Sequence, residues 1–220
     1  MKSNIKAVIF DMDGVIADTE LLNSMAWEKL LEERRIKPIL NNQGLVHEVG
    51  PVSDDVYRVI MERHGIKEEI DTIRKIRRKF FEELVKEKIT PLPGFLELIK
   101  TLKKRKIRIA IASNRVIDHV YLVLDCLKVK KFFEVIQGPS PDLKRKPEPD
   151  IYLKTAEELR LKPNECIVLE DSETGILAGN KAGMEVIAVP NKYTKHHDFS
   201  KADKVVKSLS DITISMLNNL

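Results

Sequence analysis

At 220 residues the chain is long enough to bury a sizeable core, as one domain or one domain with an insert. With 43% hydrophobic and 33% charged residues, and no apolar run near the roughly 18 residues a bilayer span needs, it reads as soluble and globular, with no membrane partner. Its 38 basic and 34 acidic side chains nearly cancel, so a net charge of +4 mildly favours anionic substrates and predicts no nucleic-acid binding.

Met1 leads directly into an apolar stretch, leaving no room for a signal peptide, so a cytoplasmic protein is expected. Cys126 and Cys166 are isolated and imply neither a disulfide framework nor a thiolate metal site.

The first element is the apolar run Ala7, Val8, Ile9, Phe10, consistent with a strand buried on both faces. It stops in Asp11 and Asp13, with Gly14 where the chain must turn. Helical periodicity follows over 19–36, carried by Leu22, Ala26, Leu30 and Leu31, until Pro38 and Asn41-Asn42 break it. Two more amphipathic helices are expected. One covers 53–64, with Val56, Val59 and Ile60 on its apolar face, and one covers 68–88, with Ile73, Phe80, Phe81 and Leu84. No strand pattern interrupts the three, so residues 18–90 read as a helical cap domain inserted into a core of residues 1–17 and 91–220.

Pro91-Leu92-Pro93-Gly94 marks the return. Helices are then expected at 95–104, 118–127, 150–161 and 174–182, with strands at 107–112, 133–136, 166–169 and 185–189. A short strand at 205–206 and a last helix over 209–217 close the chain. This alternation predicts an α/β fold with a Rossmann-like, mainly parallel sheet.

Parallel strands bring their carboxyl ends to one edge, so Asp11/Asp13, Ser113/Asn114 and Glu170/Asp171 should converge there. Clustered acids need a counter-charge, and the arrangement fits metal-assisted phosphoryl transfer. Mg²⁺ takes hard oxygen ligands, here drawn from Asp11, Asp13 through its carbonyl, Glu170 and Asp171. Asp11 is positioned as a nucleophile, and Asp13 as the acid that protonates the leaving oxygen and later activates water. Ser113, Asn114 and Lys146 would hold the phosphoryl oxygens.

These stretches resemble the haloacid dehalogenase superfamily, in its helical-cap branch of sugar-phosphate phosphatases and β-phosphoglucomutases. Asp11-Met12-Asp13-Gly14-Val15 matches the first signature and Ile16-Ala17-Asp18-Thr19-Glu20 its extension. Ser113 matches the second, Lys146-Pro147-Glu148-Pro149-Asp150 the third, and Glu170-Asp171-Ser172 the fourth. The resemblance implies an obligatory Mg²⁺, an aspartyl-phosphate on Asp11 and a cap that closes over a small phosphorylated metabolite. Expected oligomeric states are a monomer or a small homo-oligomer.

Mutase members carry a histidine where this chain has Asn23, and an arginine in a region aligned with residues 50–54, where this chain has none. A simple hydrolase is therefore the leading expectation. The alternatives are a phosphosugar mutase and a non-catalytic binding protein of the same fold. Asn23, Arg58 and Lys75 are the expected cap residues for substrate choice, and Arg74, Lys75, Arg77 and Arg78 form a basic run on the third helix. Trp27 is expected to pack. His47, His64, His119, His196 and His197 are expected to be structural or surface residues. Arg115 is equally compatible with solvent or the cleft.

Overall fold

The computed structural model describes residues 5–39 and 54–219. The expected helix break at Asn41-Asn42, His47 and the region 50–53 lie outside these residues. The chain divides into two compact units, Met1–Asp18 with Thr90–Leu220, and Thr19–Ile89.

The first unit is built on β1 (Ala7–Phe10), β2 (Arg108–Ala112), β3 (Val135–Gln137), β4 (Cys166–Glu170), β5 (Glu185–Ala188) and β6 (Lys204–Val205). They form one parallel sheet in the order β3-β2-β1-β4-β5-β6. Its helices are α4 (Phe95–Lys104), α5 (Ile117–Cys126), α6 (Asp150–Glu158), α7 (Glu173–Lys181) and α8 (Ile214–Asn218). The numbers α1 to α3 belong to the second unit. Every residue of β1 is fully buried, as expected of a central strand covered on both faces. Ala7 and Ile9 share a core with Ile151, Tyr152, Ile176 and Ala178. From the alternating position, Phe10 meets Phe95 edge-on at 5.8 Å and Phe133 at 6.3 Å.

Strand order reverses between β1 and β4, and such a reversal opens a crevice at the carboxyl ends of the strands. Just beyond β1 the chain folds back on itself. Ile16 N donates to Met12 O at 2.9 Å and Gly14 N to Ala17 O at 3.0 Å. Leu92 N donates to Ile16 O at 2.8 Å, which ties the outgoing and returning connections together.

Thr19–Ile89 holds α1 (Thr19–Glu33), α2 (Asp54–Arg63) and α3 (Ile70–Lys88). Leu22, Ala26, Leu30 and Leu31 of α1 and Ile73, Phe81 and Leu84 of α3 are buried as the periodicity requires. The buried face of α2 differs from the expected one: Tyr57, Ile60 and Met61 are inside, whereas Val59 is exposed.

Two further differences have local causes. The strand expected at 133–136 begins at Val135, because Lys130–Phe132 make a 3₁₀ turn and Phe133 turns its ring into the aromatic cluster from a loop. The single helix expected at 209–217 is split into a 3₁₀ turn, Leu209–Asp211, and α8. Ser208 and Thr213 each cap the piece that follows, and Ile212 between them is extended.

Phe10 joins β1 to the helices on one face of the sheet, so Phe10→Ala should lower unfolding free energy by about 3–5 kcal/mol. Urea denaturation followed by circular dichroism measures this. A loss under about 1 kcal/mol would mean that the ring is not a core element.

Candidate active site

The register sets the site. Phe10 lies opposite Ile111 on one side and Leu169 on the other, so the residues just past each strand share one edge. Asp11 N donates to Leu169 O at 2.9 Å, and Ser113 N to Gln137 O at 3.0 Å, continuing the ladders into the loops. Asp11, Asp13, Ser113, Asn114, Glu170 and Asp171 are thereby assembled, and the 138–149 loop adds Lys146.

Lys146 is the centre of the assembly. Its Nζ donates to Asp11 Oδ1 at 2.6 Å, Glu170 Oε1 at 2.7 Å and Ala112 O at 2.9 Å, one acceptor for each ammonium hydrogen. The side chain is 4% exposed and lies 4.7 Å from the centroid of the Tyr152 ring. Burial opposes its charge, but the attraction of Asp11 and Glu170 prevails and holds its pKa well above the ordinary lysine value.

Glu170 was expected among the metal ligands, and the structure uses both its oxygens elsewhere. Oε1 accepts from Lys146 and from Tyr152 OH at 2.8 Å. Oε2 accepts from Asp171 N at 3.0 Å, Ser172 N at 3.2 Å and Ser172 Oγ at 2.9 Å. Burial would raise its pKa, yet Lys146 and these donors bring it below the usual glutamate value. Glu170 thereby anchors Lys146.

Asp11 behaves oppositely. Burial raises its pKa to about 7, with Glu170 and Asp13 adding to the rise and Lys146 opposing it. Asp171 is also raised well above the ordinary value, by burial first and then by Glu170 and Asp11. Asn191 Nδ2 orients Asp171, donating to its Oδ2 at 2.6 Å and to Gly14 O at 3.3 Å. Gly14 has φ of 75°, and a Cβ there would overlap the Asp171 carboxylate.

Asp13 is turned to Arg115, whose Nε donates to its two carboxylate oxygens at 2.9 and 2.7 Å. Ser113 Oγ accepts from Arg115 N at 3.2 Å, and Asn114 Oδ1 accepts from Lys146 N at 3.3 Å, so both expected phosphate-holding residues also brace the loops.

Among the described residues, no three His, Cys, Asp or Glu side chains are gathered to hold a metal ion. Of the four expected ligands, Glu170 is engaged by Lys146 and the Asp13 carboxylate by Arg115, while Asp13 was expected to reach a metal through its carbonyl. What fits a cation is the pair left short of positive charge, Asp11 and Asp171. Their pKa values are raised by burial first and by neighbouring carboxylates second, and a divalent ion would offset both.

Tyr152, Asn191 and the Arg115 contact were not foreseen. Asn191 had a readable signal, since it lies just after β5 at the same sheet edge. Tyr152 had none, as it reads as one more apolar position of α6.

In the helical unit, Arg58 pairs with Asp55 at 2.7 Å and is exposed, and Lys75 is exposed as well. Asn23 is buried, and its Oδ1 accepts from Arg77 Nη2 at 2.6 Å. Arg77 is 7% exposed, donates to Tyr57 OH at 3.2 Å and lies 5.5 Å from the centroid of the Trp27 ring. Its Nε is buried without a hydrogen-bond partner among the described residues. Of the basic run on α3, Arg77 is thus the member turned inward, whereas Arg74 pairs with Asp54 and Asp71, and Arg78 with Glu82.

A family model described as haloacid dehalogenase-like hydrolase matches residues 8–189. The chain is 32% identical to a β-phosphoglucomutase of Bacillus subtilis, over 97% of this chain and 94% of that protein. It is 31% identical to a phosphorylated carbohydrates phosphatase of Thermotoga maritima, of whose length the match spans 60%, as it does of this chain. Among solved structures, CbbY of Rhodobacter sphaeroides in complex with xylulose 1,5-bisphosphate superposes with a TM-score of 0.83 at 26% identity, covering 97% of this chain and 99% of that one. Among the described residues, no helix is long and apolar enough to cross a membrane.

An acid whose folded-state pKa is raised stabilises the fold while protonated and loses that contribution as pH rises. Without added cation, stability should therefore decline through Asp11 between about pH 4 and about 7, and Asp171 should act in the same direction. Asp171→Asn removes one of the charges, so its melting temperature should exceed that of the wild type by more at pH 8 than at pH 5. Melting curves in chelator that stay parallel across this range would contradict the assignment.

Proposed function

Because the chain belongs to the haloacid dehalogenase-like hydrolase family, we propose that this phosphatase is a Mg²⁺-dependent phosphomonoesterase acting on a small phosphorylated sugar through an aspartyl-phosphate on Asp11. The observation that carries the reading is the buried Lys146 ammonium bridging Asp11 and Glu170, 2.6 and 2.7 Å away. It fixes a nucleophilic carboxylate beside a permanent positive charge where a phosphoryl group would bind.

Asp11, Asp171 and the Asp13 carbonyl are the hard oxygens for Mg²⁺, an ion that keeps several waters and therefore needs few protein ligands. When bound, it offsets the carboxylate charge and polarises the phosphoryl oxygens. The Asp11 carboxylate then forms its bond to phosphorus as the ester P–O bond breaks, and Asp13 gives a proton to the departing alcohol. In the second half, Asp13 takes a proton from water, the water oxygen bonds to phosphorus, and the bond to Asp11 breaks. Lys146 holds the phosphoryl oxygens throughout, helped by Ser113 and Asn114.

The helical unit serves as a cap that excludes water and selects the alcohol. Within it, Asn23 and Arg77 are the recognition pair, in place of the exposed Arg58 and Lys75. A binding protein without turnover has no use for mutually repelling buried carboxylates. A phosphosugar mutase is the second reading. The likeness to the β-phosphoglucomutase and the buried Arg77, a cation able to grip a second phosphate, favour it.

Two experiments test these statements. Asp11→Asn should reduce phosphate release from sugar phosphates by about 10³-fold or more while leaving the melting temperature in chelator within a few degrees of the wild type. Mg²⁺ should restore activity after chelation and raise the melting temperature more at pH 8 than at pH 5, because protons compete for Asp11. Full activity in excess chelator would refute the metal. Supplying β-glucose 1-phosphate with a trace of the bisphosphate separates the two readings: free phosphate supports the hydrolase, and glucose 6-phosphate the mutase.

A further inference from the structure

The whole-chain balance of +4, which by itself points away from nucleic acids, averages over an uneven distribution. At the amino-terminal edge of the sheet, opposite the candidate site, α4, α5 and α6 end and lead into β2, β3 and β4. The three connections, residues 103–107, 128–134 and 160–165, hold nine Lys and Arg against two Glu. Arg108, at the start of β2, stitches them together, donating to Glu134 Oε2 at 2.7 Å and to the Leu159 carbonyl just before the third connection. Both glutamates are answered from outside the connections, Glu134 by Arg108 and Glu165 by Lys6 at 2.6 Å. The helix ends beside them add Asp125, Glu157 and Glu158, of which Lys130 takes the first at 3.5 Å and Lys154 the second at 2.9 Å. Among the described residues, the other eight cations of the connections pair with no carboxylate, and all eight are exposed.

Three of these cations stand where the backbone disfavours a side chain. Lys106, Lys128 and Arg160 close α4, α5 and α6 with φ of 59°, 58° and 53°. Each N–H donates to the carbonyl three residues back and the next N–H to the carbonyl five back, as Ile107 N does to Leu102 O at 3.0 Å. Glycine usually makes this turn, and Gly183 makes it at the end of α7. A cation gains from the carbonyl end of its own helix. Three such ends on one edge, among further lysines, set like charges side by side, which helix capping alone opposes and an anionic partner relieves.

The chemistry of the partner follows from how the cations are spread. The cleft that Lys128, Lys130 and Lys131 line with Asp125 is open, so a small anion finds no enclosing set of donors there. A polymer with a charge at every repeat meets the three connections in series. A membrane surface would ask for exposed apolar side chains between the cations. The aromatic rings here are those of Tyr121 and Phe132, and Lys130 and Lys131 cover them, 4.2 and 5.5 Å from the centroids. Seven of the nine cations are lysines, point charges that suit phosphates better than base edges. We propose that the amino-terminal edge of the sheet binds the phosphodiester backbone of nucleic acid without reading its sequence.

The test is fluorescence anisotropy with labelled DNA duplexes of two unrelated sequences, about two helical turns long. Their strands end in hydroxyls, so that the candidate active site meets no phosphomonoester. The wild type should bind both duplexes alike, with log Kd rising against log salt concentration at a slope of about three or more. The triple variant Lys104→Gln, Arg105→Gln, Lys131→Gln should weaken binding about tenfold or more at low salt and lower the slope by about two to three. The triple variant Lys79→Gln, Lys86→Gln, Lys88→Gln removes the same charge from exposed positions of α3 and should bind as the wild type does. Melting temperatures of both variants should stay within a few degrees of the wild type, since every side chain replaced is exposed. Equal binding by the two variants, or no binding by the wild type at low salt, overturns the proposal. So does tighter binding, at equal phosphate, to vesicles of phosphatidylserine and phosphatidylcholine, because the edge would then serve a lipid surface. Polyglutamate bound as tightly as the duplex also overturns it, because charge alone, without phosphodiester, would then suffice.

Discussion

The structure depends on one buried ammonium held between two carboxylates. Lys146 is taken almost wholly out of water, which is unfavourable for a charge unless each hydrogen is matched, and each is. Meeting that requirement constrains distant parts of the chain. The β1–β2 and β1–β4 registers must place Asp11, the Ala112 carbonyl and Glu170 on one edge. Glu170 must in turn be held, by Tyr152 from α6 and by main-chain N–H groups at the start of α7. Gly175 completes the arrangement, because a Cβ there would overlap the Glu170 carboxylate. Removing Glu170, or displacing it by a side chain at position 175, would leave the buried ammonium less well matched.

Matching Lys146 leaves the rest of the edge short of positive charge. Asp11, Asp13 and Asp171 remain, and the structure handles each in its own way. Asp13 is given a guanidinium, Asp171 an amide from Asn191, and Asp11 only a share of the lysine. An amide offsets no charge, and a shared ammonium offsets part of one. Burial therefore carries the pKa values of Asp11 and Asp171 upward, whereas Glu170, with Tyr152 and Ser172 donating to it besides Lys146, stands low. The edge thus gathers more carboxylate charge than its own cations answer.

Much of this was legible in the sequence, for physical reasons. Buried parallel strands read as apolar runs, and their polar terminations read as an edge, so Asp11, Ser113 and Asp171 could be placed without coordinates, whereas the loop residue Lys146 was legible only beside them and through the family resemblance. Partnerships were not legible. That Glu170 would pair with Lys146 depends on where Tyr152 and the Asp171 and Ser172 N–H groups lie in space. The Arg115 pairing joins residues 102 positions apart, and no local pattern encodes which way a loop arginine swings. The element ends missed were those decided by tertiary contacts, as where Phe133 reaches the aromatic cluster from outside its strand.

The helical unit poses a complementary question, since the chemistry of the strand edge is indifferent to which alcohol departs. Most of the interior of that unit is apolar, and a methionine or leucine at position 77 would fill it at less cost than a guanidinium. Instead, Arg77 is buried against Trp27 and Tyr57, hydrogen-bonded to Asn23, with its Nε unmatched. Aromatic faces stabilise a cation without neutralising it, so the charge is kept available. Lys146 differs from it in having two carboxylates to answer its charge. Packing alone does not account for such a cation, which among the described residues meets only neutral hydrogen-bonding and aromatic partners.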